Sequence, residues 1–537
     1  MKSYQLYLLS LLTGLLLTFA WFPHGLIPLI FIGFVPLLIV EKVISSNPYK
    51  YHSLLLFLCA YSAFLVWNIL TTWWIKNASF GGAALAIISN SLLMTMVFIL
   101  FHNVKNRIGK KWQYLVFICF WITWEFFHLH WDLSWPWLTL GNVFADTRDW
   151  IQWYEYTGLF GGGLWILIIN SLIASCFTIN NLKLNFKITR NKKLALVGIL
   201  VIPILISLLI TSKYKQLADT KKQYPVVIVQ PNIDPYKEKF TGSPIEQLKK
   251  MLQLAAQKTD STTEYLIFPE TALVEEMWEN ELEQNSSIQL LRKFIKNYPK
   301  LKIIIGATTS KLYEAGETRS ATARKFTNDD GYYDSYNTAL QLDNSGRIQI
   351  YHKSKLVPGV EKLPFPFIFQ YLGDAAIDLG GTSGSLGMQE ERTAFTSPNG
   401  NFKVAPVICY ESIYGEYVGE YINNGANFIS IITNDGWWGD TPGYKQHLEY
   451  GALRAIETRQ WVARCANTGI SCFITPLGEI EQATHWWVPA VIAGKIEMST
   501  TPTFYTRFGD YIARTAMILS LLLIIYSLSI RFRIIKK

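Results

Sequence analysis

The apolar residues of this chain gather into eight long runs, and one long polar stretch, 213–510, separates the seventh run from the eighth. The runs lie at 5–22, 25–41, 53–75, 81–102, 113–128, 157–178, 194–212 and 511–530. A helix needs roughly 20 predominantly apolar residues to cross a bilayer, and most of these runs supply them. The second and fifth are short, and the fifth carries Glu125. A short run taken singly also suits a buried core helix, but eight of them around one polar insertion predict a multi-pass membrane domain. The 19 Trp suit a protein with bilayer interfaces. Lys2 followed by an apolar stretch also resembles a signal peptide. No small-x-small cleavage site follows it, only FAWFPHG and then another apolar run, so it reads as a retained helix. Glu125 is either a functional group within a span or a headgroup contact near a helix end.

Alternate connections differ sharply in charge. Lys2, Lys42, Lys50, Lys105, Arg107, Lys110, Lys111, Lys183, Lys187, Arg190, Lys192, Lys193, Arg531, Arg533, Lys536 and Lys537 fall on one side. The other side's short loops hold only Lys76 and Arg148. By the positive-inside rule both termini are cytoplasmic, and the insertion lies on the outer side. The organisation expected is thus 1–212 with seven transmembrane helices, 213–510 as the outer domain, and 511–537 as an eighth helix with a basic tail. The net charge of +9 divides accordingly. Residues 213–514 hold 31 basic and 34 acidic residues, and the remainder holds 18 basic and 6 acidic. The positive surplus reports topology, and nucleic-acid binding is not expected. Six Cys without a CxxC or a Cys/His cluster indicate neither a disulfide scaffold nor zinc, and no metal or organic cofactor is expected.

Within the insertion, β-rich runs at 225–229, 265–268, 302–306, 338–342, 404–408 and 428–433 alternate with helical patterns at 245–257, 288–296 and 447–463. Such alternation predicts an α/β domain around a largely buried sheet. The segments 308–332 and 359–400 read as long loops of the kind that form lids. The apolar stretch Pro364–Phe369 suits an acyl cleft, a bilayer contact or the domain's own core.

Three residues stand where such strands end. Cys409 closes KVAPVIC, where exposed backbone N–H groups at a strand–helix junction favour thiolate. Glu270 closes EYLIFPE, where poor solvation raises a carboxylate toward general-base range. Lys353 follows RIQIYH. Each also has an ordinary reading: an inert buried thiol, a helix cap and a solvated lysine. Cys59, Cys119 and Cys176 lie in apolar runs, and RCANTGISCF, with Cys465 and Cys472, reads as a strand and its turn.

Taken in order, FPET around Glu270, YHKSKLVPGVE from 351 to 361, ICYE around Cys409, TNDGWWG at 433–439, RAIETRQWVARCANTGIS at 454–471 and PLGEI at 476–480 resemble the nitrilase (carbon–nitrogen hydrolase) superfamily. Its insertion between spans seven and eight, with FAWFPHG, SWPWLTLGN at 134–142 and VVIVQPNI at 226–233, resembles the membrane-anchored branch, the apolipoprotein N-acyltransferase family. The resemblance implies an αββα sandwich beside about eight spans in a bacterial inner membrane. It implies Glu270 as general base, Lys353 as the oxyanion-side cation and Cys409 as the nucleophile that forms a thioester. Glu361 and Glu411 match two further acidic positions of the family, and Tyr410, Asn337 and Trp437 match positions lining its site. A phospholipid acyl donor and a diacylglyceryl-modified apolipoprotein acceptor are the implied partners. The chain departs from the pattern at LVPGVE, with Gly at 359 where the family has it at 360, at Pro231, and at Phe240 where Trp is common. The rival readings are a membrane-tethered amidase or acyl hydrolase, and a membrane binding protein or transporter without turnover.

Overall fold

The computed structural model describes all residues except 24, 48, 50, 181–182, 218–221, 328, 363–384 and 536–537. Pro364–Phe369 therefore lies outside the described residues. The chain separates into two compact units, 1–214 with 508–537, and 215–507.

The first unit is helical: α1 (Ser3–Ala20), α2 (Val35–Ser46), α3 (His52–Thr72), α4 (Phe80–Ile108), α5 (Gln113–His128), α6 (Tyr154–Ala174) and α7 (Arg190–Leu217), joined by the last helix of the chain, Tyr511–Ile535. Seven helical segments among the described residues are long and apolar enough to cross a membrane. The fifth anticipated span, 113–128, is the exception. At 16 residues α5 is about 24 Å long, short of a hydrocarbon core of about 30 Å. It is stabilised by packing against α4, α6 and the last helix. Glu125, in the last turn of α5, is buried among protein groups: its Oε1 accepts from Trp121 Nε1 at 3.0 Å and Leu140 N at 2.9 Å. It thereby ties α5 to the SWPWLTLGN segment. The loop before α7 holds a hairpin that the sequence pattern did not announce, β1 (Phe177–Asn180) with β2 (Lys183–Phe186).

The second unit contains two sheets. Its first sheet is built on β3 (Gln223–Gln230), β4 (Tyr265–Ile267) and β6 (Lys302–Leu312), which run parallel. β5 (Leu273–Trp278) also pairs with β6, and antiparallel partners follow: β7 (Arg324–Lys325), β8 (Tyr332–Leu342), β9 (Ile348–His352) and β16 (Ala490–Glu497). The second sheet has the order β10 (Phe395–Thr396), β11 (Lys403–Ile408), β12 (Phe428–Thr433), β13 (Val462–Ala466), β14 (Cys472–Ile474) and β15 (Ile480–Glu481), with β11, β12 and β13 parallel. Strands buried on both faces need apolar side chains on both, which explains their unbroken hydrophobic runs. Val227, Val229, Leu266, Ile303 and Ile305 pack on α8 (Pro244–Ala256) and α9 (Ser286–Ile295). The alternate residues face the second sheet, and Tyr265 meets Phe428 there with ring centroids 5.0 Å apart. On that sheet's outer side lie α10 (Gly415–Asn423) and α11 (Pro442–Thr458). The layers are α, β, β, α.

Two expectations change. The helical pattern at 447–463 stops at Thr458, because Arg459 adopts φ 53° and Val462 opens β13, whose parallel pairing with β12 needs an extended chain. Part of 308–332 is strand, since β6 continues to Leu312 and β7 pairs with the start of β8.

Candidate active site

β4 ends at Ile267, yet Phe268 N still donates to Ile304 O at 2.8 Å, so the chain stays beside β6 until Pro269 removes the next donor. Gly306 N then donates to Pro269 O at 3.1 Å. A Cβ on Gly306 would sit 2.4 Å from Thr271 N and 2.6 Å from Glu270 Cα, so the approach that positions Glu270 requires glycine there. Lys353 directly follows β9, and its N–H donates to Asn337 O on β8 at 2.8 Å.

The side chains close a square of two donors and two carboxylates. Glu270 Oε1 accepts from Asn337 Nδ2 at 2.8 Å and Lys353 Nζ at 3.0 Å. Glu361 Oε1 accepts from the same two groups at 3.0 and 2.8 Å. The departure at LVPGVE leaves this intact. Gly359 itself takes the left-handed position, φ 80°, and Val357 N caps Glu361 Oε2 at 2.9 Å.

Burial pushes Glu270 up, but Lys353, Asn337 and the nearby Lys239 outweigh it and hold the carboxyl below its ordinary range. Burial pushes Lys353 down, and Glu270 and Glu361 outweigh it, so the ammonium is held well above its ordinary value. The upward shift anticipated for Glu270 from poor solvation is thus reversed by its paired cation.

Cys409 follows β11 at φ 49° and opens a 3₁₀ turn, Cys409–Ile413. Its thiol is buried and pushed up, first by desolvation and then by Glu270, with Lys353 opposing. Here too the strand-end expectation is overruled by burial. At rest the sulfur carries its proton and Glu270 is ionised, a division of acid from base that suits proton transfer between them.

Glu411 is fully buried and connects two strand ends. Its Oε2 accepts from Ile408 N at 2.8 Å, just before Cys409. Its Oε1 accepts from Ser354 N at 2.7 Å, just after Lys353, and from Tyr351 and Tyr417 hydroxyls at 2.7 and 2.5 Å. Tyr410 is buried edge-on against Tyr414, ring centroids 5.4 Å apart. Trp437 meets Tyr236 edge-on, centroids 5.2 Å apart, and its carbonyl accepts from the Tyr236 hydroxyl at 2.8 Å.

Sequence reasoning missed Lys239. Its Nζ donates to Glu270 O at 3.2 Å and to Thr271 Oγ1, and burial lowers it to about 8. It also missed a buried set behind Cys409: Ser412, Asp435, His447 and Arg464. TNDGWWG and RAIETRQWVARCANTGIS contain Asp435 and Arg464, but no spacing shows that they meet. Among the described residues no group of His, Cys, Asp and Glu could hold a metal ion.

Residues 226–504 match the carbon–nitrogen hydrolase family and residues 13–172 match the apolipoprotein N-acyltransferase N-terminal domain. The chain is 30% identical to the apolipoprotein N-acyltransferase of Chlorobaculum tepidum, over 95% of this chain and 94% of that one. Those of Rickettsia prowazekii and Haemophilus influenzae are 28% and 26% identical, covering 86% and 97% of this chain and 84% and 95% of theirs. Among solved structures, a CN-hydrolase superfamily protein from Xanthomonas campestris is 14% identical over 51% of this chain and 91% of its own, with a TM-score of 0.34. With its αββα unit and its helical unit both accounted for, the chain belongs to the apolipoprotein N-acyltransferase family.

Proposed function

We propose that this protein N-acylates apolipoproteins, moving an acyl chain from a phospholipid through a thioester on Cys409 to the α-amino group of an S-diacylglyceryl-cysteine. Glu270, ionised beside a protonated thiol, removes the Cys409 proton as sulfur attacks the ester carbonyl. Lys353 Nζ and the Tyr410 N–H stabilise the oxyanion. Collapse breaks the C–O bond, and the lysophospholipid alkoxide leaves with the proton returned by Glu270. The acceptor amine then attacks the thioester and gives up a proton to Glu270. The thiolate leaves, recovers that proton, and an amide remains. Asn337 and Glu361 hold the Glu270 carboxylate and the Lys353 ammonium in register, and Glu411 aligns the two strand ends that present Lys353 and Cys409. Trp437, with Tyr236, would form an aromatic rim for lipid.

The asymmetry of sixteen basic residues against two supports an inner-membrane protein with both termini cytoplasmic and residues 213–510 periplasmic. Both proposed substrates are lipid-anchored, so tethering the chemistry to the bilayer raises their effective concentration. The observation that carries the reading is the buried Glu270–Lys353 pair hydrogen-bonded to Asn337 and Glu361 and acting electrostatically on the Cys409 thiol.

The test supplies the full-length protein with a phospholipid and a peptide bearing an N-terminal diacylglyceryl-cysteine. A hydroxylamine-labile acyl group on Cys409, absent from Cys409→Ala, and an amide on the peptide are expected. Free fatty acid without amide would make the protein a hydrolase. An unlabelled Cys409 would refute the thioester.

A further inference from the structure

Cys409 is one of the few non-glycine residues with positive φ, a region that L side chains rarely adopt. Something must hold the following peptide in place. The Cys409 carbonyl accepts from Ser412 Oγ at 2.7 Å and faces His447 Nε2 at 3.1 Å. A carbonyl oxygen can only accept, so the ring bonds it through a proton on Nε2, and the same nitrogen lies 3.0 Å from Ser412 Oγ. The ring's other nitrogen, Nδ1, lies 2.9 Å from Asp435 Oδ1 and 3.2 Å from Arg464 Nη2, so both groups fix the ring's orientation. Asp435 Oδ2 in turn accepts from Arg464 Nη2 at 2.6 Å, and Oδ1 from Thr433 Oγ1 at 2.9 Å. The side chains of Asp435, His447 and Arg464 have no exposed surface. On the same helix as His447, Arg454 Nη1 donates to Ile413 O at 2.5 Å, and the guanidinium is doubly bonded to Glu457. The turn that begins at Cys409 is therefore fastened to α11 at several points.

The direction of that fastening matters. In a trans peptide the C=O and the N–H point opposite ways, so whatever holds the Cys409 carbonyl also aims the Tyr410 N–H. His447 belongs to α11, on the outer side of the second sheet, whereas Glu270 and Lys353 come from strand ends of the first. A carbonyl held toward α11 leaves the N–H pointing inward, toward the strand ends that carry those two residues.

We propose that Ser412 and His447, the latter oriented by Asp435 and Arg464, are positioning residues that hold the Cys409 carbonyl and so aim the Tyr410 N–H at the oxyanion. This rests on the thioester reading above. None of the four touches substrate. Their contribution is to keep the Cys409–Tyr410 peptide from flipping out of its left-handed setting, a flip that would present the carbonyl oxygen to the developing negative charge.

Two rates on the same sulfur distinguish this role from general support of the fold. Alkylation of Cys409 by iodoacetamide displaces iodide from a saturated carbon and forms no oxyanion. Acylation by a phospholipid forms one. In full-length protein in mixed micelles, His447→Ala should slow acyl-enzyme formation by about 10²–10³-fold, the loss typical of one oxyanion donor. Its KM for phospholipid and the rate of Cys409 alkylation should stay unchanged. His447→Gln retains a donor for the carbonyl and should recover part of the acylation rate. Ser412→Ala, which removes only a hydroxyl, should show the same split if His447→Ala fails to fold. Acylation and alkylation falling together, or neither changing, would overturn the positioning role. Failure of the wild-type protein to form a hydroxylamine-labile acyl group on Cys409 overturns the thioester reading instead, so the two failures are distinct.

Discussion

Gly306→Ala is the sharpest probe of how the fold places Glu270. The added methyl carbon would stand 2.4 Å from Thr271 N, 2.6 Å from Glu270 Cα and 2.7 Å from Pro269 O. Ordinary van der Waals contact begins at 3.4 Å, so the backbone at 269–271 must retreat by about 1 Å. It cannot slide along the sheet, because the Phe268 N and Gly306 N bonds fasten it to β6 just before the contact and Leu273 pairs with Ala307 just after it. The retreat carries Glu270 away from Asn337 Nδ2 and Lys353 Nζ, now at 2.8 and 3.0 Å, and hydrogen bonds stretched that far are lost. A misplacement of 1 Å in a reacting group can cost about 10²-fold in rate, equivalent to about 2.7 kcal/mol of barrier. The accompanying overpacking should cost about 1–3 kcal/mol of stability. The assay is the rate of hydroxylamine-labile acyl transfer onto Cys409, with unfolding of the same preparation followed in parallel. The expected result is a folded, modestly destabilised protein that acylates about two orders of magnitude more slowly. A folded Gly306→Ala protein acylating at the wild-type rate would refute the reasoning, since it would mean that the 269–271 backbone yields without moving Glu270.

Two further outcomes follow from the buried groups. Glu411→Gln sets an amide N–H₂ against a backbone N–H or tyrosine hydroxyl that now donates to a carboxylate. Leaving one buried donor unmatched and weakening the other bonds should cost about 3 kcal/mol, read by denaturant unfolding. Equal stability would show that the carboxylate is not needed to connect β9 to β11. Lys239 is lowered to about 8 from an ordinary 10.5, so between these values the unfolded chain binds more protons than the folded one. Its contribution to stability therefore rises with pH across that window. The thermal midpoint of the wild type relative to Lys239→Met should climb between about pH 8 and pH 10, and parallel profiles would contradict the burial assigned to this amine.

Some of this site is legible in the amino-acid sequence. The strands ending near Glu270, Lys353 and Cys409 are short apolar runs followed by polar residues, and a buried strand is a local pattern that needs no partner to be recognised. Glu361 is legible only through the family resemblance, as an acidic position that the motif around Lys353 carries with it. Its delivery through a turn with Gly359 at φ 80° shows how the shifted glycine still serves. The pairing of β16 with β3 is not legible, because strands that far apart in the chain leave no mark of their contact. Lys239 and His447 are invisible for a related reason. A lone lysine or histidine carries no periodicity, and its burial is decided by segments distant in sequence.

The eight apolar runs and the order of motifs, by themselves, determined that this chain divides into membrane and α/β parts, since hydrophobic length and alternation act through neighbouring residues. Tertiary structure alone decided the state of the site. Glu270 is held ionised because Lys353 and Asn337 converge on one oxygen, and the Cys409 thiol is kept protonated because burial outweighs the nearby cation. It also decided that α5, at 16 residues, is supported by its neighbours more than by its own length. Electrostatic interaction depends on distance and burial in space, and a sequence specifies those only through the fold.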